Sequence, residues 1–463
     1  MINFFQRITI RHLVLLSLVL NLSMYCLVRS WDSNVEKNVI VTSDAIGYQQ
    51  LAENILHYHT FAGTTDTASI PLNSHALEPG LLIANYDTYR EPGYPAFLAF
   101  VYLIAGVKPF IAILIQLILN AICVVLIYRI AFLLFNNKIV ATIAALLFTL
   151  DIHSIYVANV LYSDTLFIFL FLLSLYYFFS GLKILSFIRF VLSALFLGLA
   201  CITRPVSLLY PFVLFFVVFV FNKGMERRWL VKIIIPYMLI IYAIVGGWVL
   251  RNHTSYNRWQ LTTMDGYNLL DFNVAFTESR KTNLPIETVR GSLLNKADSL
   301  GCLRMRNPFD RSKICGKVAW EYIRNNKVAY TETQLWGAIH MFLSLGNIDI
   351  AQTLGWRSSD VEGQLVMDSN RIKQNFAHKG QAILGVLIIL VLLLQYIGAF
   401  IGFVFLIKNK NWFVLVFGIL TIFYFSAITG AIGKYRYKLP MQFTICAISG
   451  YGYYSLIKRK SIT

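Results

Sequence analysis

Residues 109–135 read PFIAILIQLILNAICVVLIYRIAFLLF, and Arg129 is the single charge in the run. A helix needs about 20 apolar residues to cross the hydrocarbon core of a bilayer, so this stretch is long enough to span it. Comparable runs recur outward in both directions, at 13–29, 139–157, 160–181, 187–203, 205–222, 231–250, 381–407, 412–432 and 438–457. The composition agrees. Of 463 residues, 57% are hydrophobic and only 14% charged, where a soluble chain carries about a quarter charged. A soluble multidomain protein and a disordered chain are both excluded. The chain reads as an all-α polytopic membrane protein, a bundle of about 10 to 13 transmembrane helices with external loops bearing interfacial helices.

The charge balance, 40 Lys+Arg against 23 Asp+Glu, leaves +17. Nucleic acid is not the explanation, because the cations sit between apolar spans. Arg7, Arg11, Arg129, Lys138, Lys183, Arg189, Lys223, Arg227, Arg228, Lys232, Lys408, Lys410, Lys458, Arg459 and Lys460 occupy one alternating set of short loops, with Glu226 as their only acid. The positive-inside rule makes these loops and both termini cytoplasmic. Residues 93–106 are apolar but too few to span, and a crossing there would invert every later loop. They are expected to be re-entrant or interfacial. The first run is preceded by Arg7 and Arg11 but followed by no small-residue cleavage site, so it reads as a retained anchor. The expected organisation is an anchor (1–30), a first external loop (31–108), a central bundle (109–250), a large external loop acting as lid or acceptor region (251–380) and C-terminal helices (381–463). Cys302 and Cys315 share the second loop and could pair in an oxidising compartment.

The chemistry gathers in the external segments. Residues 31–92 hold eight acids against Lys37 and Arg90, a net of −6. Within them an amphipathic helix opens at Ser43, with Asp44, Tyr48, Leu51 and Ile55 on one stripe. Tyr89-Arg90-Glu91-Pro92-Gly93-Tyr94-Pro95 turns the chain back toward the membrane. Five cations stand against the positive-inside bias: Arg204, Arg251, Lys434, Arg436 and Lys438, the last three alternating with tyrosines in KYRYK. External cations at the membrane surface suit a phosphate, and lipid headgroups are the plainer alternative for them. Carboxylates facing phosphate-binding cations are the layout wanted for sugar transfer from a lipid-phosphate donor.

The chain resembles the GT-C superfamily of polyprenyl-phosphate-sugar-dependent glycosyltransferases, near the protein O-mannosyltransferase and lipid A aminoarabinose transferase group. The resemblance rests on Ser43-Asp44-Ala45 with Tyr48, Leu51, Ala52 and Asn54; Arg90-Glu91-Pro92-Gly93-Tyr94-Pro95; Ser163-Asp164-Thr165-Leu166-Phe167; Thr203-Arg204-Pro205; Gly247-Trp248 with Arg251-Asn252; and Tyr435-Arg436 with Leu439-Pro440, in that order. It implies a catalytic Asp at Asp44 and a second acid at Glu91. Arg204, Arg251, Lys434, Arg436 and Lys438 become the expected donor-phosphate ligands, and Tyr48, Arg90, Tyr94, Asp164 and Tyr435 the expected substrate contacts. The family's usual Glu is here Asp164, and no His-Pro-Pro occurs, which disfavours the protein mannosyltransferase acceptor class. The short end after the last span points away from the oligosaccharyltransferase branch.

The expected reaction is inverting transfer of a sugar from a polyprenyl-phosphate donor to a glycan, lipid or protein acceptor, in a bacterial inner membrane with the site on the external face. A polyprenyl-linked polysaccharide polymerase or ligase is the nearest alternative, and a lipid or sugar flippase a more distant one. The sequence commits to no cofactor. A divalent metal could draw on Asp44, His57, His59, Asp87 and Glu91, although His57 and His59 are poorly spaced for one helical face.

Overall fold

The computed structural model describes residues 2–28, 43–62, 86–221, 227–356 and 379–460. The expected exit from the first span and the loop-one charges Asp32, Glu36, Lys37, Asp66 and Glu78 fall outside them, as do Lys223 and Glu226. The described residues are helical apart from turns and one isolated antiparallel bridge between Ala62 and Tyr86.

A short α1 (Ile2–Arg7) leads into α2 (Ile10–Val28). The amphipathic segment of the first loop forms α3 (Ser43–Tyr58), and the short apolar segment forms α4 (Gly93–Ala105). At 13 residues α4 is about 20 Å long, too short for a hydrocarbon core of about 30 Å. It packs on α3 and on the end of α9. Next come α5 (Pro109–Phe135) and α6 (Lys138–Thr149), joined by a tight turn. In that turn Asn136 adopts a left-handed φ of 48° and the Asn137 side chain caps the N–H groups of Ile139 and Val140.

The expected span 139–157 is broken. Leu150 and Asp151 end α6 and start α7 (Ile152–Ala158), which is bent from it by 57°. The cause is local: the Asp151 carboxylate accepts the Ser154 N–H at 2.9 Å, the N-cap role for which Asp is favoured. The following span starts at Asp164 rather than at residue 160, as α8 (Asp164–Ile184). Beyond it α9 (Phe187–Thr203) ends before Pro205, with Arg204 held extended as a residue preceding proline should be. A 3-10 turn (Pro205–Ser207), α10 (Tyr210–Phe221) and the long α11 (Arg227–Tyr256) complete this half.

Residues 264–325 form a small structure with its own core: α12 (Met264–Asn268), a π-turn (Leu269–Val274), α13 (Ala275–Thr282), α14 (Ile286–Ser299) and α15 (Pro308–Asn325). Tyr267, Leu293 and Val318 fill that core beside Cys302 and Cys315. The two thiols are unbonded, their sulfur atoms 3.9 Å apart. The chain continues through α16 (Lys327–Leu343) and α17 (Asn347–Thr353) into α18 (Lys379–Lys408), α19 (Trp412–Thr429) and α20 (Leu439–Lys460), with 3-10 turns at Gly430–Ile432 and Tyr435–Lys438.

Among the described residues six helices are long and apolar enough to cross a membrane: α2, α5, α8, α11, α18 and α19. The bent α6–α7 pair makes a seventh if counted as one span. Three other expected spans depart from that pattern. Helices α9 and α10 are short, while α20 has the length but buries Gln442, Thr444 and Ser449. α20 packs against α6 and α18. A helix sheltered by its neighbours can carry polar groups that lipid would not tolerate. The helices also sort the charges. α8 starts at Asp164 and ends beside Lys183, and α9 returns from Arg189 to Arg204. The basic turns and the Asp164–Arg204 level are therefore opposite ends of the same helices.

Candidate active site

Two glycines bring the acidic and basic stretches together. Gly93 opens α4 against the end of α9: a Cβ there would stand 2.8 Å from the Thr203 Cα and 2.9 Å from the Ile202 carbonyl oxygen. That contact sets Arg90 and Glu91 beside Arg204. Gly47 lies one turn along α3 from Asp44, and a Cβ there would stand 2.9 Å from the Arg90 Cζ. Its missing side chain is the space through which Arg90 reaches Asp44.

Asp44 is the centre of the site. Its Oδ1 accepts from Arg90 Nη1 at 3.2 Å and its Oδ2 from Arg436 Nη2 at 3.0 Å, closing a contact across 392 positions of chain. The Asp44 side chain is one-third exposed, whereas those of Arg90 and Arg436 are largely buried. Burial raises the Asp44 pKa, but the charges of Arg436 and Arg90 and their hydrogen bonds outweigh it and hold the carboxyl well below its usual range. Each guanidinium is also stacked. Arg90 lies 4.7 Å above the Tyr48 ring and Arg436 4.6 Å above that of Tyr162, distances at which a cation is attracted to an aromatic face.

A second ion pair joins Arg204 to Asp164 at the start of α8. The other Asp164 oxygen, Oδ2, is buried and has no hydrogen-bond partner among the described residues. Tyr437 sits under both Arg204 (5.8 Å) and Arg436 (5.4 Å). Glu91 is 3% exposed and its Oε1 also lacks a partner among the described residues. Burial pushes its carboxyl up to about 7; a hydrogen bond from its own backbone and the charges of Arg204 and Arg90 offset part of that, and Asp265 adds to it.

The structure keeps Tyr48 in this cluster, under Arg90, and separates the remaining expected residues from it. Tyr48 shares a hydrogen bond of 3.2 Å with Ser163, which ties α3 to the start of α8. Tyr94 is fully buried and donates to Gln116 Oε1 at 2.6 Å; Gln116 in turn holds the carbonyls of Ala158 and Val160. Arg251 donates to the carbonyls of Asp87 (2.9 Å) and Phe61 (3.1 Å) and lies over Trp248, so it clasps the chain on either side of the Ala62–Tyr86 bridge. Lys434 is exposed, and Tyr435 and Lys438 point into the bundle. Among the described residues no three His, Cys, Asp or Glu side chains converge to hold a metal ion. Asp87 instead caps the N–H groups of Tyr89 and Arg90. Sequence reasoning missed Tyr162 and Tyr437, the aromatic seats of the cations. The only signal for them was their adjacency to Ser163 and Arg436.

Residues 90–249 match the family model described as dolichyl-phosphate-mannose-protein mannosyltransferase. No curated protein matches the chain by sequence. The fold is similar to that of the archaeal oligosaccharyltransferase AglB from Archaeoglobus fulgidus, in complex with an inhibitory peptide and a dolichol-phosphate. The TM-score is 0.51 at 12% identity, covering 98% of this chain and 51% of that one. The oligosaccharyltransferase of the same organism in the apo form gives 0.50 at 13% identity, with the same coverage. ArnT from Cupriavidus metallidurans bound to undecaprenyl phosphate overlays more loosely, at 0.42 and 11% identity over 95% of this chain and 77% of that one. The fold is of the GT-C type. The chain spans about half the length of the archaeal enzymes it overlays.

Proposed function

We propose that the protein is a membrane glycosyltransferase that moves a sugar from a polyprenyl-phosphate donor to a hydroxyl acceptor. The observation that carries this reading is the convergence on Asp44 of Arg90 and Arg436, with Arg204, Asp164 and the buried Glu91 alongside, at the helix ends opposite the basic turns. By the positive-inside rule those turns face the cytoplasm and the site faces outward. The match of residues 90–249 to the mannosyltransferase model supports a lipid-phosphate donor.

In the reaction, the Asp44 carboxylate takes the proton of the acceptor hydroxyl as its oxygen attacks the anomeric carbon. The bond from that carbon to the phosphate oxygen breaks on the opposite side, inverting the centre. The electron pair leaves on polyprenyl phosphate. Arg436, Arg90 and Arg204 hold the charge that grows there, fixed cations at a largely buried site being worth far more than in water. A phosphate arriving at Arg436 competes with Asp44 for the same guanidinium. It weakens the pair that keeps Asp44 a poor base, so donor binding and base activation are linked. Glu91 positions the acceptor or the sugar. The 251–380 segment is the region where the acceptor docks.

A second reading, that Glu91 is itself the proton acceptor, is favoured by its raised pKa and by its Oε1, unpartnered among the described residues, since a base poised near neutrality is the more efficient one. The test is release of polyprenyl phosphate by reconstituted protein from a panel of polyprenyl-phosphate hexoses and pentoses, with a membrane extract as acceptor. Release by wild type that Asp44→Asn abolishes, with Glu91→Gln retaining some, supports Asp44. Loss in Glu91→Gln alone assigns the proton to Glu91. Equal release by wild type and both variants refutes the site.

A further inference from the structure

The turn that presents Arg436 is fastened from behind by a charged residue the proposed chemistry does not use. Tyr435–Lys438 is a 3-10 turn. With three residues per turn, positions 435 and 438 share one side and 436 and 437 face elsewhere. Arg436 and Tyr437 look to the site. On the other side Tyr435 stacks on His153 at 4.8 Å. Lys438 has no exposed surface. Its ammonium meets the Tyr396 hydroxyl at 3.5 Å and makes no ion pair among the described residues. Asp151, 1% exposed at the α6–α7 break, belongs to the same buried cluster, since Gln395, the chain neighbour of the Tyr396 that Lys438 meets, donates to its carboxylate. Asp151 is held there by Gln442 (2.7 Å) and Gln395 (3.2 Å), and Gln442 lies one turn beyond Lys438 on α20.

Burying an ammonium and a carboxylate inside a membrane bundle is expensive, and such groups usually have a task. We propose that Lys438, through its attraction to Asp151, is the positioning residue that holds the 3-10 turn and aims Arg436 at Asp44 and at the donor phosphate. The inference rests on the functional reading above for the identity of that ligand. It assigns to Lys438 no contact with substrate. If the ammonium lost its counter-charge it would swing toward water, and the turn carrying Arg436 would follow.

The experiment measures binding of undecaprenyl phosphate to the full chain in lipid nanodiscs, with thermal unfolding of each variant alongside. Lys438→Met is expected to weaken binding about tenfold, and Asp151→Asn similarly, with both proteins folded. Lys438→Met/Asp151→Asn removes both charges and is expected to bind better than either single variant, the coupling that a paired interaction gives. Arg436→Gln/Lys438→Met is expected to be no weaker than Arg436→Gln, because Lys438 acts through Arg436. Two results overturn the proposal: Asp151→Asn binding like wild type, or Arg436→Gln and Lys438→Met losses that multiply, as they would if Lys438 touched the phosphate itself. Absence of binding by wild type is a different outcome. It refutes the lipid-phosphate reading, and the inference falls with it.

Discussion

Replacing Glu91 by Gln should make the protein more stable and less active. Glu91 is 3% exposed, and burial lifts its carboxyl from an ordinary 4.5 to about 7. Holding it ionised at a pH above that value costs the folded state about 3 kcal/mol relative to the unfolded chain. The sign follows from proton binding. Between the ordinary glutamate range and about 7 the folded protein keeps a proton that the unfolded chain has released, so this residue makes stability fall as pH rises through that window. Glutamine carries no charge to desolvate. Thermal unfolding in detergent from about pH 5 to about pH 8 should therefore show wild type losing stability across the range by an amount that Glu91→Gln does not lose. The variant should be the more stable protein at the alkaline end, and its transfer rate should drop. An identical pH dependence in the two proteins would refute the assignment of a buried, near-neutral carboxyl to this position.

The glycine that admits Arg90 gives a second expectation. Gly47→Ala should displace the guanidinium from Asp44, with transfer reduced about tenfold, the loss of one charge-assisted hydrogen bond. A circular dichroism spectrum like that of wild type should confirm that the helices persist. The thiols of Cys302 and Cys315 give a third, concerning sidedness. With 264–325 on an oxidising external side they should form a bridge, resisting alkylation until reductant is added. Cys302→Ser/Cys315→Ser should then unfold more easily, by about 3 kcal/mol for a loop of this length. Free alkylation of the native protein without reductant would place that segment on a reducing side.

Much of the fold is written in the length of its apolar runs. Residues 109–135 fold as one helix because nothing in the run can stop it, and α3 starts at Ser43 where the amphipathic stripe does. The break at Leu150–Asp151 was legible too, as an Asp between apolar runs, but hydropathy averages over it. The meeting of Asp44 with Arg436 was foreseeable only as a meeting of opposite charges. What brings Arg90 and Glu91 to the same place is glycine at 47 and at 93, whose effect depends on which neighbour comes close. KYRYK misled for a definite reason. Read as cations alternating with tyrosines, it puts all three on one side as phosphate ligands, whereas a 3-10 turn sends Lys438 inward with Tyr435. Arg251 is claimed by carbonyls of Phe61 and Asp87, which no local pattern connects to it.

The most direct test of a glycosyltransferase centred on Asp44 is a comparison of envelope glycolipids and glycans by mass spectrometry. The cells would lack the protein, carry it, or carry Asp44→Asn at matched abundance. A species heavier by one sugar residue should appear with wild type and be missing from the other two. The same species in cells carrying Asp44→Asn, or no difference among the three, would contradict the account.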